Sequence, residues 1–311
     1  MTTRAMDGTA GGLRMPGWLA PVGLLLATGA LLGVSTNLAK LAVGAGLPPL
    51  AFLTWSTAGA ALLVGAVVAR RGALPRLDRT TLTYFVVAAL VSVAAPNLLF
   101  FSAIAHVGAG FVALCIAFPP LLTYLGALAL RAERFDALRA TGVGLALAGA
   151  AALAWAKLRT PDAPATWIAA ALAGPVLLAA GNLYRSLRWP PGARPDSLAP
   201  GMLGAAALLL LACGLLPGAS LRVDLAEPRQ ILLVLLQAVV VGGMYLLYFR
   251  LQGCGGPVIV SLLGAIGAVV GVPVAVLLLG EAVPPALGPA GALIAAGVAL
   301  VTWRAMRAGR R

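Results

Sequence analysis

Between residues 18 and 304 the sequence divides at Gly, Pro and charged residues into ten apolar runs of 19 to 24 residues, at 18–40, 48–69, 82–104, 109–130, 138–156, 166–187, 198–216, 230–250, 257–280 and 285–304. A helix needs about 20 mostly apolar residues to cross the hydrocarbon layer, so each run has the length of a membrane span. The runs are continuously apolar and do not alternate with period two, which selects helices over a β-barrel. Only 10% of the residues are charged and 61% are hydrophobic. That leaves too few charges to cover the surface of a soluble domain, in which about a quarter of residues are charged.

Charge sets the topology. With the N-terminus in the cytoplasm, every second connection is cytoplasmic, and 17 of the 22 basic residues fall on that side. Lys40, Lys157, Arg159, Arg222 and Arg229 stay outside. Ten spans with both ends inside therefore satisfy the positive-inside rule. The net charge of +13 is distributed between apolar runs and forms no basic stripe interleaved with aromatics, so no nucleic-acid partner is expected. Trp18, Trp155, Trp167, Trp189 and Trp303 lie at span ends, where indoles sit among headgroups. Trp55 lies inside a span and is a candidate for lining a cavity, packing or lipid contact being the alternative. Arg14 precedes the stretch from Trp18, but that stretch is longer than a signal core and lacks a small-residue cleavage site; it is read as the first span.

The chain also aligns with itself. An offset of 148 residues pairs "NLLFFSAIAHVG" (97–108) with "YLLYFRLQGCGG" (245–256), Glu133 with Glu281, and "LALAGAAALAW" (145–155) with "LIAAGVALVTW" (293–303). Near the start an offset of 145 pairs Gly29 with Gly174, Asn37 with Asn182 and Lys40 with Arg185. Each copy holds five spans, and an odd number gives the copies opposite orientation, an arrangement used by transporters. The expected organisation is an all-α integral membrane protein of ten transmembrane helices in two inverted-topology five-helix repeats. A cytoplasmic segment (1–17) precedes the first repeat (18–156), a connecting loop (157–165) leads to the second (166–304), and a basic cytoplasmic tail (305–311) follows.

The segments "GVSTNLAK" (33–40), "PNLLFFSAIAHVGAGFVALCIAFPPLLTYLGALALRAERF" (96–135) and "YLLYFRLQGCGGPVIVSLLGAIGAVVGVPVAVLLLGEAV" (245–283) resemble the EamA-type carriers of the drug/metabolite transporter superfamily. "LLLGE" resembles the family's ninth-helix ending, whereas the first half departs from it with Ala132 before Glu133. The resemblance implies a ten-helix inverted-repeat carrier of small metabolites, amino acid exporters among them.

All nine acidic residues lie in loops or at helix ends, so no intramembrane carboxylate offers proton exchange. His106 sits at a loop edge and reads as a polar cap. Uncharged groups populate the spans: Asn37, Thr54, Ser56, Tyr84, Asn97, Thr123, Tyr124, Asn182, Tyr184, Gln237, Tyr245 and Tyr248. In hydrocarbon such groups need partners, either neighbouring helices or a solvated cavity. Asn97 and Phe101 share a helix face, as do their copies Tyr245 and Phe249. The cavity candidates are Asn37, Trp55, Tyr84, Asn97, Phe101, Tyr124, Asn182, Gln237, Tyr245, Tyr248 and Phe249. Lys40 and Arg185 are read as snorkelling to headgroups at opposite membrane faces.

Pro119 and Pro120 remove two backbone donors in mid-span, and Gly267, Gly271 and Pro273 do comparable work in the copy, so hinges that gate the cavity are expected there. Close packing is the alternative for the glycines. Glu133 and Glu281 read as helix-end residues capping the next helix. "GCGG" (253–256) reads as a short turn, lacking the Lys of a phosphate loop.

Cys115, Cys213 and Cys254 suggest neither disulfides nor a metal site. No catalytic cluster, nucleotide motif, metal or cofactor site is evident, which disfavours a membrane-embedded enzyme. The duplication disfavours a non-transporting scaffold. The expectation is a secondary transporter exporting small polar or amphipathic metabolites such as amino acids, with uptake or exchange as the alternative. Its partners would be a small-molecule substrate and the lipid bilayer, as a monomer or weak homodimer in a bacterial-type plasma (inner) membrane.

Overall fold

The computed structural model describes residues 19–75, 77–116, 118–131, 135–158, 164–260, 263–280 and 287–308. Every regular element among them is helical: α1 (Leu19–Gly44), α2 (Pro49–Arg70), α3 (Arg79–Ala89), a π-helical segment (Leu90–Ala94), α4 (Ala95–Val107), α5 (Ala109–Cys115), α6 (Pro119–Ala129), α7 (Ala137–Leu158), α8 (Ala165–Leu187), α9 (Pro195–Cys213), α10 (Pro228–Val260), α11 (Leu263–Leu277) and α12 (Leu287–Ala308). Six stretches are long and apolar enough to cross a membrane: Val22–Gly44, Pro49–Arg70, Arg79–Val107, Ala165–Leu187, Pro195–Cys213 and Pro228–Gly253. Shorter apolar helices accompany them at Pro119–Ala129, Ala137–Gly149 and Gly288–Gly297. The protein is an integral, multi-pass membrane protein.

Helix ends follow local chemistry. Asp78 caps α3 by accepting from the Thr81 amide at 2.7 Å. Proline stands in the first turn of α2, α6 and α9, where its missing N–H has no intrahelical acceptor to lose. Gly108 separates α4 from α5 with φ of 84°, a conformation that side chains with a Cβ resist.

Three expectations need correction. The fourth span is not one helix bent at Pro119 and Pro120, because it stops at Cys115 and restarts with these prolines at the head of α6. A helix start tolerates them without the loss of bonds that a mid-helix position would impose. "GCGG" is not a turn, because α10 continues through it to Val260. Gly253 is needed there for contact: a Cβ on it would lie 2.7 Å from Cγ of Pro195. The first span does not end at Lys40 but runs a further turn to Gly44.

The π-helical segment immediately precedes Pro96, whose lack of an amide hydrogen breaks the regular ladder. Asn97 adds a side-chain bond beside it, donating from Nδ2 to the Val93 carbonyl at 2.8 Å.

Packing pairs α1 with α10 and α11, α2 with α9 and α10, α3 with α9, α4 and α6 with α8, α5 with α11, and α7 with α12. Small residues let several pairs approach closely. A Cβ on Gly33 would fall 2.7 Å from the Gly267 carbonyl oxygen and 2.8 Å from the Gly271 nitrogen. Gly267 and Gly271 therefore serve the close packing of α1 on α11, with Pro273 two residues further on inside α11. Gly174 faces the Phe100 ring and Gly181 faces Ser92, which brings α8 against α4 and the π segment. Glu133 and Glu281, and the segments 1–17 and 159–163, lie outside the described residues.

Candidate functional site

A cavity of about 110 Å³ lies among α1, α2, the π segment, α4, the break before α6, α8, α10 and α11. One water needs roughly 10–15 Å³ on this measure, so there is room for a small solute. Its walls come from both halves of the chain. Leu32, Leu53, Phe100, Phe101, Leu178 and Met244 make it largely apolar, while Ser35, Thr57, Ser92, Asn97, Asn182 and Gln237 supply uncharged polar groups. Arg185, Tyr245 and Tyr248 complete the polar side.

Local structure aims these groups. Asn97 follows the π segment, which rotates the register of α4 relative to α3 and brings Ser92, Val93, Asn97 and Phe101 to one wall. Gln237, fully buried, donates from Nε2 to Ser35 Oγ at 2.7 Å and ties α10 to α1. Phe101 lies 5.9 Å from Phe52, ring centre to ring centre. Pro119 reaches the wall from the start of α6, so the helix break itself borders the cavity.

Of the eleven cavity candidates, Asn97, Phe101, Asn182, Gln237, Tyr245 and Tyr248 meet here. The other five are placed elsewhere. Asn37 is buried between helices and donates to the carbonyls of Gly33 at 2.9 Å and Gly271 at 3.0 Å, so it fastens α1 to α11. Trp55 is 43% exposed, donates from Nε1 to the Leu221 carbonyl at 2.9 Å, and lines a separate surface cavity with Val223 and Leu235. Tyr84 is buried and stacked on Tyr184, with ring centroids 5.9 Å apart. The Tyr124 hydroxyl accepts from the Asp136 amide at 2.9 Å, tying α6 to the start of α7. Phe249 is fully buried behind Tyr248, edge-on at 5.6 Å.

The largest departure concerns Arg185. It does not snorkel: only 3% of it is exposed, and Nη2 donates to Asn182 Oδ1 at 2.6 Å and to the Tyr248 hydroxyl at 2.5 Å. Its guanidinium carbon sits 5.0 Å from the centre of the Tyr248 ring. The available signal was its position, three residues after Asn182 and still inside the sixth apolar run. Lys40, by contrast, is half-buried, and its Nζ lies 3.5 Å from the Leu279 carbonyl just beyond α11. His106 stacks on Trp167 at 4.3 Å, away from the cavity walls. No group of three metal-ligating side chains occurs among the described residues.

Residues 19–155, α1 through most of α7, match the EamA-like transporter family. The chain carries an EamA-like transporter domain. That family belongs to the drug/metabolite transporter superfamily of membrane transporters. No curated protein matches. Among solved structures 14 chains match. One of them, a crystal structure, is similar with a TM-score of 0.67 and 21% identity, over 93% of this chain and 98% of its own. At that identity the likeness concerns the fold, and it extends well beyond the EamA-matched half.

Proposed function

We propose that this EamA-type protein is a secondary carrier with ten spans in two inverted five-helix repeats, 18–156 and 166–304, with both termini cytoplasmic. It exports small polar or amphipathic metabolites, such as amino acids, across a bacterial-type inner membrane by alternating access. The observation that carries this reading is the cavity, whose walls are drawn from both repeats and whose apolar lining is set with polar groups.

The pattern of helix contacts supports the duplication. Exchanging α1 with α8, α2 with α9, α3 and α4 with α10, α5 and α6 with α11, and α7 with α12 turns the set of main pairs into itself. The α1–α10 contact becomes α8–α4, α1–α11 becomes α8–α6, and α2–α10 becomes α9–α3, while α2–α9, α5–α11 and α7–α12 map onto themselves. Two related halves packed about a pseudo-twofold axis have this property. Pro119, at the break before α6, reaches the wall, as do Val260, Leu263 and Gly264 from the counterpart side, and the break before α6 is suited to act as a gate.

The test is counterflow in proteoliposomes loaded with a panel of amino acids, sugars and organic acids. At least one solute should exchange in a protein-dependent, saturable way without ATP. Folded protein that exchanges none of them rules the carrier reading out.

A further inference from the structure

Arg185 is a buried cation with no anionic partner among the described residues. Among the described residues no carboxylate reaches it, and its two side-chain hydrogen bonds both leave from Nη2 and end on neutral acceptors, Asn182 Oδ1 and the Tyr248 hydroxyl. Nε is buried and donates to nothing. The carboxylates with described partners are engaged elsewhere: Asp78 caps α3, Asp136 accepts from the Arg139 amide at the start of α7, Asp196 faces Arg71 and Arg250, and Asp224 accepts from the Ala226 amide in its own loop.

A structural role alone does not account for it. A neutral Gln could link α8 to α10 through the same two acceptors without placing a full charge in a low-dielectric region. The guanidinium also lines the cavity, and two further buried groups on that wall, Ser92 Oγ and Gln237 Oε1, have no partner. Ser92, Arg185 and Gln237, from the π segment, α8 and α10, thus all border one space whose apolar lining includes Phe100 and Phe101.

We propose that Arg185 docks the anionic head of a small organic acid, whose apolar body lies against Phe100, Phe101 and Leu178. The inference rests on the carrier reading and narrows its solute class. Among the described residues, Arg185 is the one charged side chain on the wall. A monoanion therefore neutralises the cavity, a neutral solute leaves the guanidinium uncompensated, and a zwitterion adds an ammonium for which the wall holds no carboxylate.

Three probes on one carbon skeleton separate these cases: phenylacetate, phenylacetamide and phenylglycine, titrated calorimetrically into the purified full-length protein in detergent. A charge-assisted hydrogen bond in such a site corresponds to roughly tenfold or more in affinity. Phenylacetate should bind at least about tenfold tighter than either of the others, and Arg185→Gln should remove that preference. Tyr248→Phe, which keeps the charge and deletes one of its neutral bonds, should retain it. Equal binding of acid and amide by the wild type overturns the proposal, and this comparison stands even if Arg185→Gln does not fold. Retained preference for phenylacetate in folded Arg185→Gln overturns it equally. Protein that fails these tests yet exchanges solutes in counterflow remains a carrier with a different solute, so the two readings fail separately.

Discussion

Replacing Gly33 with Ala tests the close backbone contact of α1 with α11. The added Cβ would stand 2.7 Å from the Gly267 carbonyl oxygen, 2.8 Å from the Gly271 nitrogen and 3.0 Å from Cβ of Val270. Comfortable separations are about 3.5–4.0 Å, and two of the three opposing atoms are backbone, so no rotamer change relieves the overlap. The helices α1 and α11 must separate locally by roughly 0.5–1 Å. Overpacking of this kind costs about 1–3 kcal/mol. Separation also stretches the 3.0 Å bond from Asn37 to Gly271 beyond useful length, at a further ~1 kcal/mol. Gly23→Ala on the same helix is the control, because nothing lies within 4 Å of its added Cβ. Both variants gain the helix propensity of Ala, about 1 kcal/mol, so that gain cancels between them. Gly33→Ala should therefore be less stable than Gly23→Ala by about 2–4 kcal/mol. Equilibrium unfolding of the two proteins in the same detergent measures the difference. Equal stabilities would refute the close packing of α1 on α11.

The two pseudo-symmetric asparagines should separate stability from function. Asn37→Ala loses two backbone-directed bonds and should destabilise by roughly 1–2 kcal/mol while leaving solute affinity in place. Asn182→Ala releases the Arg185 side chain within the cavity and should weaken solute binding severalfold with a smaller change in unfolding free energy. At the helix end, Asp78→Ala removes the cap on α3 and should cost about 1 kcal/mol, read from the same unfolding curves, with no effect on exchange.

Much of the site was visible in the residues, but its membership was not. Asn97, Asn182, Gln237, Tyr245 and Tyr248 were singled out because polar groups in apolar runs require partners, and they do meet at one cavity. The same reasoning selected Asn37, Tyr84 and Tyr124, which serve a helix fastening, an aromatic stack and an α6–α7 tie. Residue type states that a partner is needed and leaves open which one. The Asn97 and Phe101 pair reached the cavity together through helical spacing, yet their copies parted, Tyr245 facing the cavity and Phe249 packing behind it. Arg185 was misread because a lone arginine near a span end usually reaches the headgroups, and only the wall of α10, with Tyr248 in contact, shows it held inside.

By itself the sequence determined that this chain is a multi-pass helical membrane protein, because apolar runs of bilayer length with almost no charge have no other stable fold. Its distribution of basic residues and its internal similarity pointed to orientation and duplication, which depend on composition and order along the chain. Only the tertiary structure decided where the helices break, which small residues are contacts and not hinges, and which polar groups share a cavity. Those features depend on rotation of each helix about its axis and on distances of a few tenths of an ångström between backbones, and neither is encoded in hydropathy.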